Sequence, residues 1–297
     1  MKIIVTGGAG FIGSNLVDKL IEMKNDVTVI DNESATSNDE FYHNKKAKYV
    51  KEDIADYPMI RYLFDGVDYV FHLAAESRIQ PTIDNPLLAV RTNVMGTATI
   101  LQCAREAGVK KVIYSSTSSA YGRNTPPLFE EMSEDCLNPY SVSKVSGEKF
   151  CHMYTELFGL PTVVFRYFNI YGPREPSKGP YAPVVRLFLR QKANNEPLTI
   201  VGDGMQRRDF THVSDAVNAN ILAMKYNVTG LFNIGTGINH SVIDLARMIS
   251  DTVTFIPPRQ GEARVTLADN SKAKKDLKWE PKIKLEDYIN ESLQRKG

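Results

Sequence analysis

Short apolar runs alternate with segments of helical period along the first half of the chain. Residues 3–6 and 27–30 form uninterrupted β-branched runs, which are typical of strands buried on both faces of a parallel sheet. Between them Leu16, Leu20 and Met23 recur at helical spacing. Strands that alternate with helices predict an α/β fold on a doubly wound parallel sheet. Later strands are expected at 48–50, 69–75, 111–114 and 162–168, and helices at 60–66, 86–108 and 140–158.

The pattern changes beyond about residue 172, where the predicted elements become short and irregularly spaced. A strand at 231–235 is expected to return to the main sheet. We therefore predict a first domain of residues 1–168, with about 207–236 returning to it. A smaller C-terminal α/β substrate domain would comprise 169–206 and 237–297. Its predicted elements include helices at 181–189 and 242–250 and a strand at 198–201, and a further helix is expected at 215–224 in the returning segment.

A glycine-rich turn follows the first predicted strand. Gly7, Gly10 and Gly13 let the chain turn tightly, bring backbone N–H groups against a pyrophosphate and point the positive end of the next helix at it. Asp31 ends the second strand, where a carboxylate accepts hydrogen bonds from both hydroxyls of an adenine ribose and repels a 2′-phosphate. Because Asn32 follows rather than Arg or Lys, the sequence predicts a Rossmann-type domain that binds NAD in preference to NADP.

The other candidate cofactor contacts also fall at strand ends, which share one edge of an open α/β sheet. Small residues at Ala74 and Ala75 leave room for a flat cofactor, and Asp53 with Ile54 could border the adenine. His72, within the fourth strand, is expected to be a hydrogen-bonded core histidine. The remaining cofactor contacts expected are Phe11, Ile12, Leu73, Ser115, Tyr140, Lys144 and Tyr167.

Composition narrows the class of protein. The 36 Lys and Arg nearly balance the 35 Asp and Glu, so no basic field favours nucleic acid or an anionic membrane. The three cysteines, Cys103, Cys136 and Cys151, lie far apart, so neither a disulfide framework nor a metal site is expected. No signal peptide or membrane-spanning run is apparent, and a cytoplasmic location is expected.

A candidate acid/base pair lies on the helix predicted at 140–158. Tyr140 and Lys144 are four residues apart and therefore share a helical face. A phenol has a reference pKa of about 10, and a neighbouring ammonium together with a positively charged nicotinamide favours its phenolate. Thr117, at the end of the adjacent strand, can hydrogen-bond the substrate oxygen. Together these residues predict proton transfer to and from the hydroxyl oxygen of a carbinol whose carbon exchanges hydride with NAD.

The chain resembles the extended short-chain dehydrogenase/reductase family, and within it the nucleotide-sugar 4-epimerases acting on UDP-glucose or UDP-N-acetylglucosamine (UDP-GlcNAc). The resemblance covers almost the whole chain. Its motifs are Gly7-x-x-Gly10-x-x-Gly13, Asp53-Ile54, His72-Leu73-Ala74-Ala75, Thr117 before Tyr121-Gly122, Tyr140/Lys144, Arg166-Tyr167-Phe168-Asn169, Arg208-Asp209-Phe210 and Arg259-Gln260-Gly261-Glu262.

The resemblance implies the substrate contacts. Asn169, Arg208 and Arg259 would hold the diphosphate of a UDP-sugar, and Glu262 would bind the nucleotide ribose. Two arginines and an amide donor suit a dianionic pyrophosphate. Val201 is a further implied contact. The resemblance also implies a homodimer that pairs the helices predicted at 86–108 and 140–158.

Thr266 falls where glucose-restricted epimerases of the family carry a bulky tyrosine and where relatives handling N-acetylated sugars carry a small residue. A rigid pocket cannot hold both an acetamido group and a tyrosine ring. We therefore expect the pocket to accept an N-acetyl group at C2 as well as a hydroxyl.

Departures from related families define the alternatives. The 4,6-dehydratases carry Asp-Glu directly after the threonine, where this chain has Ser118 and Ser119. The decarboxylases that form UDP-xylose carry an acid where Ser119 stands. The segment 74–77, Ala-Ala-Glu-Ser, resembles the corresponding segment of the dehydratases more than that of the epimerases. This difference concerns the sugar contacts expected near Glu76 and Arg78.

The predicted reaction inverts C4 of a UDP-hexose, UDP-glucose/galactose and/or UDP-GlcNAc/GalNAc, through a transient 4-keto sugar. Tyr140 would remove the proton of the 4-hydroxyl as C4 gives hydride to NAD, and would return the proton after the ketone turns over. The alternatives are a reductase or dehydratase acting on the same sugars, or a non-catalytic dinucleotide sensor.

Overall fold

The computed structural model describes residues 1–179 and 181–294. Its strands are β1 (Lys2–Thr6), β2 (Asp26–Ile30), β3 (Lys48–Val50), β4 (Tyr69–His72), β5 (Lys111–Thr117), β6 (Thr162–Tyr167), β7 (Ile170–Tyr171), β8 (Leu198–Val201), β9 (Arg207–Asp209), β10 (Thr211–His212), β11 (Gly230–Ile234), β12 (Asn239–Ser241) and β13 (Val253–Ile256). Its helices are α1 (Phe11–Glu22), α2 (Tyr57–Ile60), α3 (Ile79–Asp84), α4 (Pro86–Ala89), α5 (Gly96–Glu106), α6 (Pro139–Phe158), α7 (Val184–Ala193), α8 (Val213–Lys225), α9 (Val242–Arg247), α10 (Ser271–Asp276) and α11 (Leu285–Gln294).

Seven strands form one parallel sheet in the order β11-β6-β5-β4-β1-β2-β3. The order reverses at β1, so the carboxyl ends of β1 and β4 flank the crevice in which open α/β sheets bind ligands. β5 and β6 are buried along their whole length, and β1 is buried from Ile3 to Thr6, as expected for central strands of a parallel sheet. The predicted fold class, a Rossmann-type doubly wound sheet with smaller C-terminal sheets, is confirmed.

Helices cover both faces of this sheet. On one face α1 and α8 pack on Val5, Phe71 and Phe165. On the other face the chain passes from α4 through a π-helical segment, Val90–Met95, into α5, which packs with α6. The helix predicted at 86–108 is therefore present, but one stretch of it is π-helical.

A second apolar cluster lies in the C-terminal half. Side chains of α7, α9 and α11 pack around Phe188, Leu245 and Ile289. Ala273, Leu277 and Trp279 instead pack with the cluster on the α1 face of the sheet, and the Trp279 indole donates a hydrogen bond to the Asp215 carbonyl at 2.9 Å. The division into 1–168 with 207–236, and 169–206 with 237–297, stays a prediction.

Several element boundaries differ from the sequence prediction. The helix expected at 181–189 begins at Val184, because Pro183 lies in an extended conformation before it, and continues to Ala193. The helix expected at 242–250 ends at Arg247. Residues 32–47, between β2 and β3, form a loop held by turns and side-chain contacts.

None of the helices within the described residues is both long and apolar enough to cross a membrane. Across 1–179 and 181–294, no cluster of three His, Cys, Asp or Glu side chains is arranged to hold a metal ion.

The expected homodimer stays a prediction, and exposed apolar side chains on the two helices expected to pair support it. Leu87 is 79% exposed, and Val90, Met95 and Val142 are about half exposed. We expect light scattering at micromolar concentration to show a dimer, and the double substitution Leu87→Asp/Val142→Asp to give a monomer. Met205→Asp changes an exposed apolar residue elsewhere and should leave the dimer intact. A monomeric wild-type protein would remove the prediction.

Candidate active site

Two of the three glycines in the turn after β1 are required by close approach of the backbone. Gly7 has φ +69°, and a Cβ added there would lie 2.7 Å from the Ala74 nitrogen. A Cβ on Gly13 would lie 2.1 Å from the Gly7 carbonyl oxygen. Gly10, in contrast, has space beside it and forms the N-cap of α1, where no side chain caps the helix. The first turn of α1, with Phe11 and Ile12, therefore offers its backbone N–H groups to an anion.

Asp31 lies beside this turn, as the sequence predicts. Its carboxylate accepts hydrogen bonds from the Ala9 nitrogen at 3.0 Å and the Glu33 nitrogen at 2.9 Å. Burial raises the pKa of Asp31, and these two backbone hydrogen bonds oppose that shift. The Asn32 side chain is engaged in a turn with the Ser34 nitrogen. A carboxylate has lone pairs left for further donors, so the site fits a ribose diol.

Asp53 and Ile54 lie beyond β3, but each has a protein partner. Asp53 forms an ion pair with Arg91 at 2.9 Å. Ile54 packs so closely on the start of α5 that a Cβ on Gly96 would lie 2.5 Å from its Cδ1. Arg91 belongs to the π-helical segment, so this ion pair fixes the helix against the candidate adenine edge.

The end of β4 is fixed by hydrogen bonds from β1. The Thr6 hydroxyl accepts from the Ala74 nitrogen at 3.2 Å, and the Thr6 carbonyl accepts from the Leu73 nitrogen at 3.1 Å. His72 lies between the hydroxyls of Thr6 and Thr97, at 2.7 and 2.9 Å, and burial lowers its pKa to about 3. It is the neutral core histidine that the sequence predicts. Ala74 and Ala75 are half-buried next to the glycine turn.

Helix α6 approaches β5 closely enough to bring Lys144 into the sheet edge. A Cβ on Gly147 would lie 2.3 Å from the Tyr114 hydroxyl, so only glycine allows this approach. The Tyr114 hydroxyl donates to the Lys144 carbonyl at 3.1 Å, and the Lys144 ammonium lies 4.3 Å from the Tyr114 ring centroid. Burial lowers the pKa of Lys144 to about 7. The ammonium therefore gains from any oxygen brought beside it, such as a ribose hydroxyl.

Tyr140 and Thr117 come together at the end of β5. Burial raises the pKa of Tyr140, while a hydrogen bond with Thr117 and the positive charge of Arg78 lower it. The Thr117 hydroxyl also accepts from the Ser119 nitrogen at 3.1 Å, which fixes its rotamer. The candidate acid/base group is thus half-buried, next to the Thr117 hydroxyl and within the electrostatic influence of Arg78.

Asn93 is a positioning residue in the same region. Its amide exchanges hydrogen bonds with the Glu76 backbone, at 2.8 and 3.0 Å, and donates to the Ser143 hydroxyl at 2.8 Å. Ser143 in turn donates to the Tyr140 carbonyl at 2.8 Å. The segment after β4 is thereby joined to the turn of α6 that carries Tyr140.

Ser115 and Tyr167 lie deeper in the sheet edge. Their hydroxyls are 3.4 Å apart, and the Tyr167 hydroxyl also accepts from the Asn220 amide at 2.6 Å. Burial raises the pKa of Tyr167 to about 12, so its phenol stays neutral.

The predicted substrate residues fall into two groups. In the first, the Asn169 amide donates to the Asp209 carbonyl at 3.0 Å and to the Thr266 hydroxyl at 3.3 Å. The neighbouring Arg208 pairs with Glu262 at 3.3 Å, and burial lowers the pKa of Arg208. A buried guanidinium with one carboxylate suits an added diphosphate.

The second group, Arg259 and Val201, lies at or next to a cavity of about 460 Å³. Arg259 lies at its wall with its guanidinium 5.3 Å from the Tyr181 ring centroid. Val201 ends β8 and is paired with Ile256 of β13, another wall residue. Arg208 belongs to β9, whereas Arg259 lies in the loop after β13.

An uncapped helix over a glycine turn, an acid at the end of β2 and a tyrosine–lysine pair on α6 beside the end of β5 are together typical of Rossmann-type domains that bind a dinucleotide. The family model for GDP-mannose 4,6 dehydratase matches residues 4–292. The chain belongs to the extended short-chain dehydrogenase/reductase family of NAD-dependent nucleotide-sugar epimerases and dehydratases.

Individual relatives lie within this family. The UDP-glucose 4-epimerase of Mycolicibacterium smegmatis is 34% identical and aligns with 99% of this chain and 98% of its own length. A crystal structure of the Thermotoga maritima UDP-glucose 4-epimerase with UDP-glucose is 37% identical, with a TM-score of 0.94 and 99% of each chain covered. The Bacillus cereus UDP-glucuronic acid 4-epimerase, in complex with UDP-glucuronic acid and NAD, is 32% identical, with a TM-score of 0.89 and coverage of 100% and 99%.

Replacing Asp31 is expected to change cofactor preference. Asp31→Ala should weaken NAD binding and reduce the difference in affinity between NAD and NADP, because the ribose hydrogen bonds and the repulsion of a 2′-phosphate are both lost. Asp31→Asn serves as the control, because it removes the charge but keeps an oxygen that can accept the hydrogen bond from the Ala9 nitrogen. It therefore separates the effect of the lost charge from the effect of a loosened glycine turn. Titration of both cofactors measures the effect, and a wild-type preference for NADP would refute this interpretation of Asp31.

Proposed function

We propose that the protein is an NAD-dependent epimerase that inverts C4 of a UDP-hexose, UDP-glucose/galactose and/or UDP-GlcNAc/GalNAc, through a transient 4-keto sugar. The observation that carries the proposal is the meeting of Tyr140 with Thr117 beside the buried Lys144, at the sheet edge that holds the glycine turn. A non-catalytic sensor would have no need to keep a lysine ammonium buried there.

The same site disfavours elimination of water. Dehydration needs an acid and a base beside the sugar, and Ser118 and Ser119 follow Thr117 where that pair would stand. Ser118 is buried and Ser119 is half-buried, so hydroxyls rather than carboxyls face this position.

The residues divide the chemistry between them. Thr117 orients the sugar 4-hydroxyl, and Tyr140 takes the proton of this hydroxyl and returns it to the same oxygen after the keto sugar has turned its opposite face to the cofactor. Arg78 stabilises the phenolate electrostatically. Lys144, one helical turn after Tyr140 on α6, would add to this effect. NAD, held by the glycine turn, Asp31 and Lys144, supplies the hydride acceptor and donor. The diphosphate would lie with Asn169, Arg208 and Arg259, and the nucleotide ribose with Glu262.

A second candidate substrate is a UDP-sugar that carries a carboxylate. The Nε atoms of Arg78 and Arg186 are buried and, within the described part of the chain, have no hydrogen-bond partner. Glu175 is the acidic group that interacts with both, and burial raises its pKa to about 8. At neutral pH this region therefore has an excess of positive charge beside Tyr140, which a sugar carboxylate would neutralise.

A panel of UDP-sugars tests the proposal and separates the two candidates. Protein reconstituted with NAD is incubated with UDP-glucose, UDP-GlcNAc and UDP-glucuronate, and the C4 epimers are measured by NMR. The proposal predicts interconversion of at least one neutral sugar. Turnover of UDP-glucuronate alone, lost in Arg186→Met, would favour the second candidate. Release of a dehydrated sugar would contradict both.

Access of an N-acetyl group is expected to depend on Thr266, which is buried against Asn169 and Asp209. Thr266→Tyr should lose activity on UDP-GlcNAc while retaining it on UDP-glucose, because the ring fills the volume that the acetamido group needs. Thr266→Val removes the same hydroxyl without the ring and serves as the control. Equal losses on both sugars would show that residue 266 does not select the C2 substituent.

A further inference from the structure

Two loops from opposite halves of the site are joined by a polar clasp, defined here as Asp39 with Ser177 and Lys178 and, beside it, Asp18 with Arg174. We propose that Asp39 is a positioning residue that closes this clasp over the dinucleotide and keeps it bound between turnovers. The inference rests on the proposed function, since it assigns a role in cofactor retention.

Both oxygens of the Asp39 carboxylate accept hydrogen bonds from the loop that contains Ser177 and Lys178. Its Oδ2 accepts from the Ser177 hydroxyl at 2.8 Å and the Ser177 nitrogen at 3.0 Å, and its Oδ1 accepts from the Lys178 nitrogen at 3.1 Å. The Lys178 ammonium donates to the Asp39 carbonyl at 2.9 Å. Hydrogen bonds to a charged acceptor are stronger than neutral ones, so the two loops are held firmly at this point.

A second bridge lies beside the first and begins on α1. Arg174 pairs with Asp18 at 2.6 Å and lies 5.0 Å from the ring centroid of Tyr42. One turn earlier, the Asn15 amide donates to the Pro173 carbonyl at 3.1 Å. Residues 173–178 are therefore attached both to the loop after β2 and to the helix whose N-terminus faces the phosphates.

The segment 38–42, which includes Asp39 of the clasp, passes directly over the glycine turn. The Tyr42 nitrogen donates to the Ala9 carbonyl at 3.0 Å. The Asn38 amide nitrogen lies 3.8 Å from the position that a Cβ on Gly10 would occupy. Residues 38–42 thus cross the open end of α1 where a pyrophosphate binds. A dinucleotide bound at the N-terminus of α1 would be covered by residues 38–42. It could leave past these residues only if their loop moved.

The clasp also connects the two ligand sites. The segment 173–178 follows Asn169, a candidate diphosphate ligand, whereas Asp39 follows Asp31, the candidate ribose ligand. Hydride must leave and return to the same carbon within one epimerisation cycle. Loss of the reduced cofactor in mid-cycle would strand the sugar as a ketone, so a closed clasp has a direct use in this reaction.

The test measures exchange of bound cofactor rather than activity. The purified holoenzyme is mixed with excess isotopically labelled NAD, separated from free cofactor at intervals and denatured, and the label is counted. Asp39→Ala should speed exchange by about tenfold or more, since it removes the three hydrogen bonds that the Asp39 carboxylate accepts. Ser177→Ala should have a smaller effect, and the double variant should exchange no faster than Asp39→Ala, because both changes break the same bridge.

Asp65→Ala removes an exposed acid and serves as the control; its exchange rate and melting temperature should match those of the wild type. Equal exchange in Asp39→Ala, Asp65→Ala and wild type would overturn the proposal. Strictly additive effects of Asp39→Ala and Ser177→Ala would also overturn it. Failure of the proposed function is recognised separately, as a protein that retains NAD through Asp39 but epimerises no UDP-sugar.

Discussion

Tyr140→Phe is expected to lower kcat for C4 epimerisation by at least about 10²-fold, with NAD and UDP-sugar binding close to wild type. The substitution removes only the transferable proton, since the ring and its place on α6 are kept. The Thr117 hydroxyl remains fixed by the Ser119 nitrogen, so the substrate oxygen can still be oriented. A loss confined to kcat would identify Tyr140 as the proton carrier.

The measurement is steady-state turnover together with direct titration of both ligands. Tyr62→Phe is the matched control, because Tyr62 is exposed and lies outside the site. Near wild-type turnover of Tyr140→Phe would contradict the assignment of Tyr140. Loss of ligand binding with normal folding would instead give Tyr140 a binding role.

Glu148→Leu is expected to lower the free energy of unfolding by about 3 kcal/mol, which is typical of breaking a buried ion pair from one side. Arg166 is 1% exposed, and its Nε and Nη2 atoms donate to the Glu148 carboxylate at 3.0 and 2.6 Å. The Ser116 hydroxyl donates to the same carboxylate. Without Glu148 the guanidinium stays buried, and among the described residues Glu134, 3.4 Å away, is the one carboxylate still paired with it.

Urea unfolding measures this effect. The double substitution Glu148→Leu/Arg166→Met should recover much of the loss, because both buried charges are then gone. Lys19→Ala breaks an exposed pair with Glu22 and should change stability by less than about 0.5 kcal/mol. Equal stabilities of the Glu148 and Lys19 variants would show that the buried pair contributes little.

The sheet could be predicted from the sequence because its strands are continuous apolar runs and its helices repeat every three to four residues. Gly7, Gly13 and Asp31 were also recognisable from the sequence, because the roles predicted for them depend on local backbone geometry. The pairing of Tyr140 with Lys144 required only that α6 be a helix. The contact of Tyr140 with Thr117 also required both residues to lie at the carboxyl edge of the sheet, and the alternation of strands with helices predicted that edge.

Other features depend on contacts between segments that are distant in the sequence, and no local sequence pattern predicts them. Arg91 pairs with Asp53 because the helix after α4 opens into a π-helical segment, which the apolar spacing of 86–108 does not show. Asp39 and Ser177 are joined across two polar loops with no periodicity. The burial of Arg78 near Glu175 likewise depends on how the loop after β7 folds back.

The most direct test of C4 epimerisation uses UDP-glucose and UDP-GlcNAc that carry deuterium at C4. The protein is loaded with NAD and incubated with each sugar in ordinary water, and the products are examined by NMR. We predict at least one C4 epimer that retains deuterium at C4, because the hydride leaves and returns to the same carbon inside a closed site. Formation of the epimer with loss of the label, or accumulation of a free keto sugar without any epimer, would contradict the account.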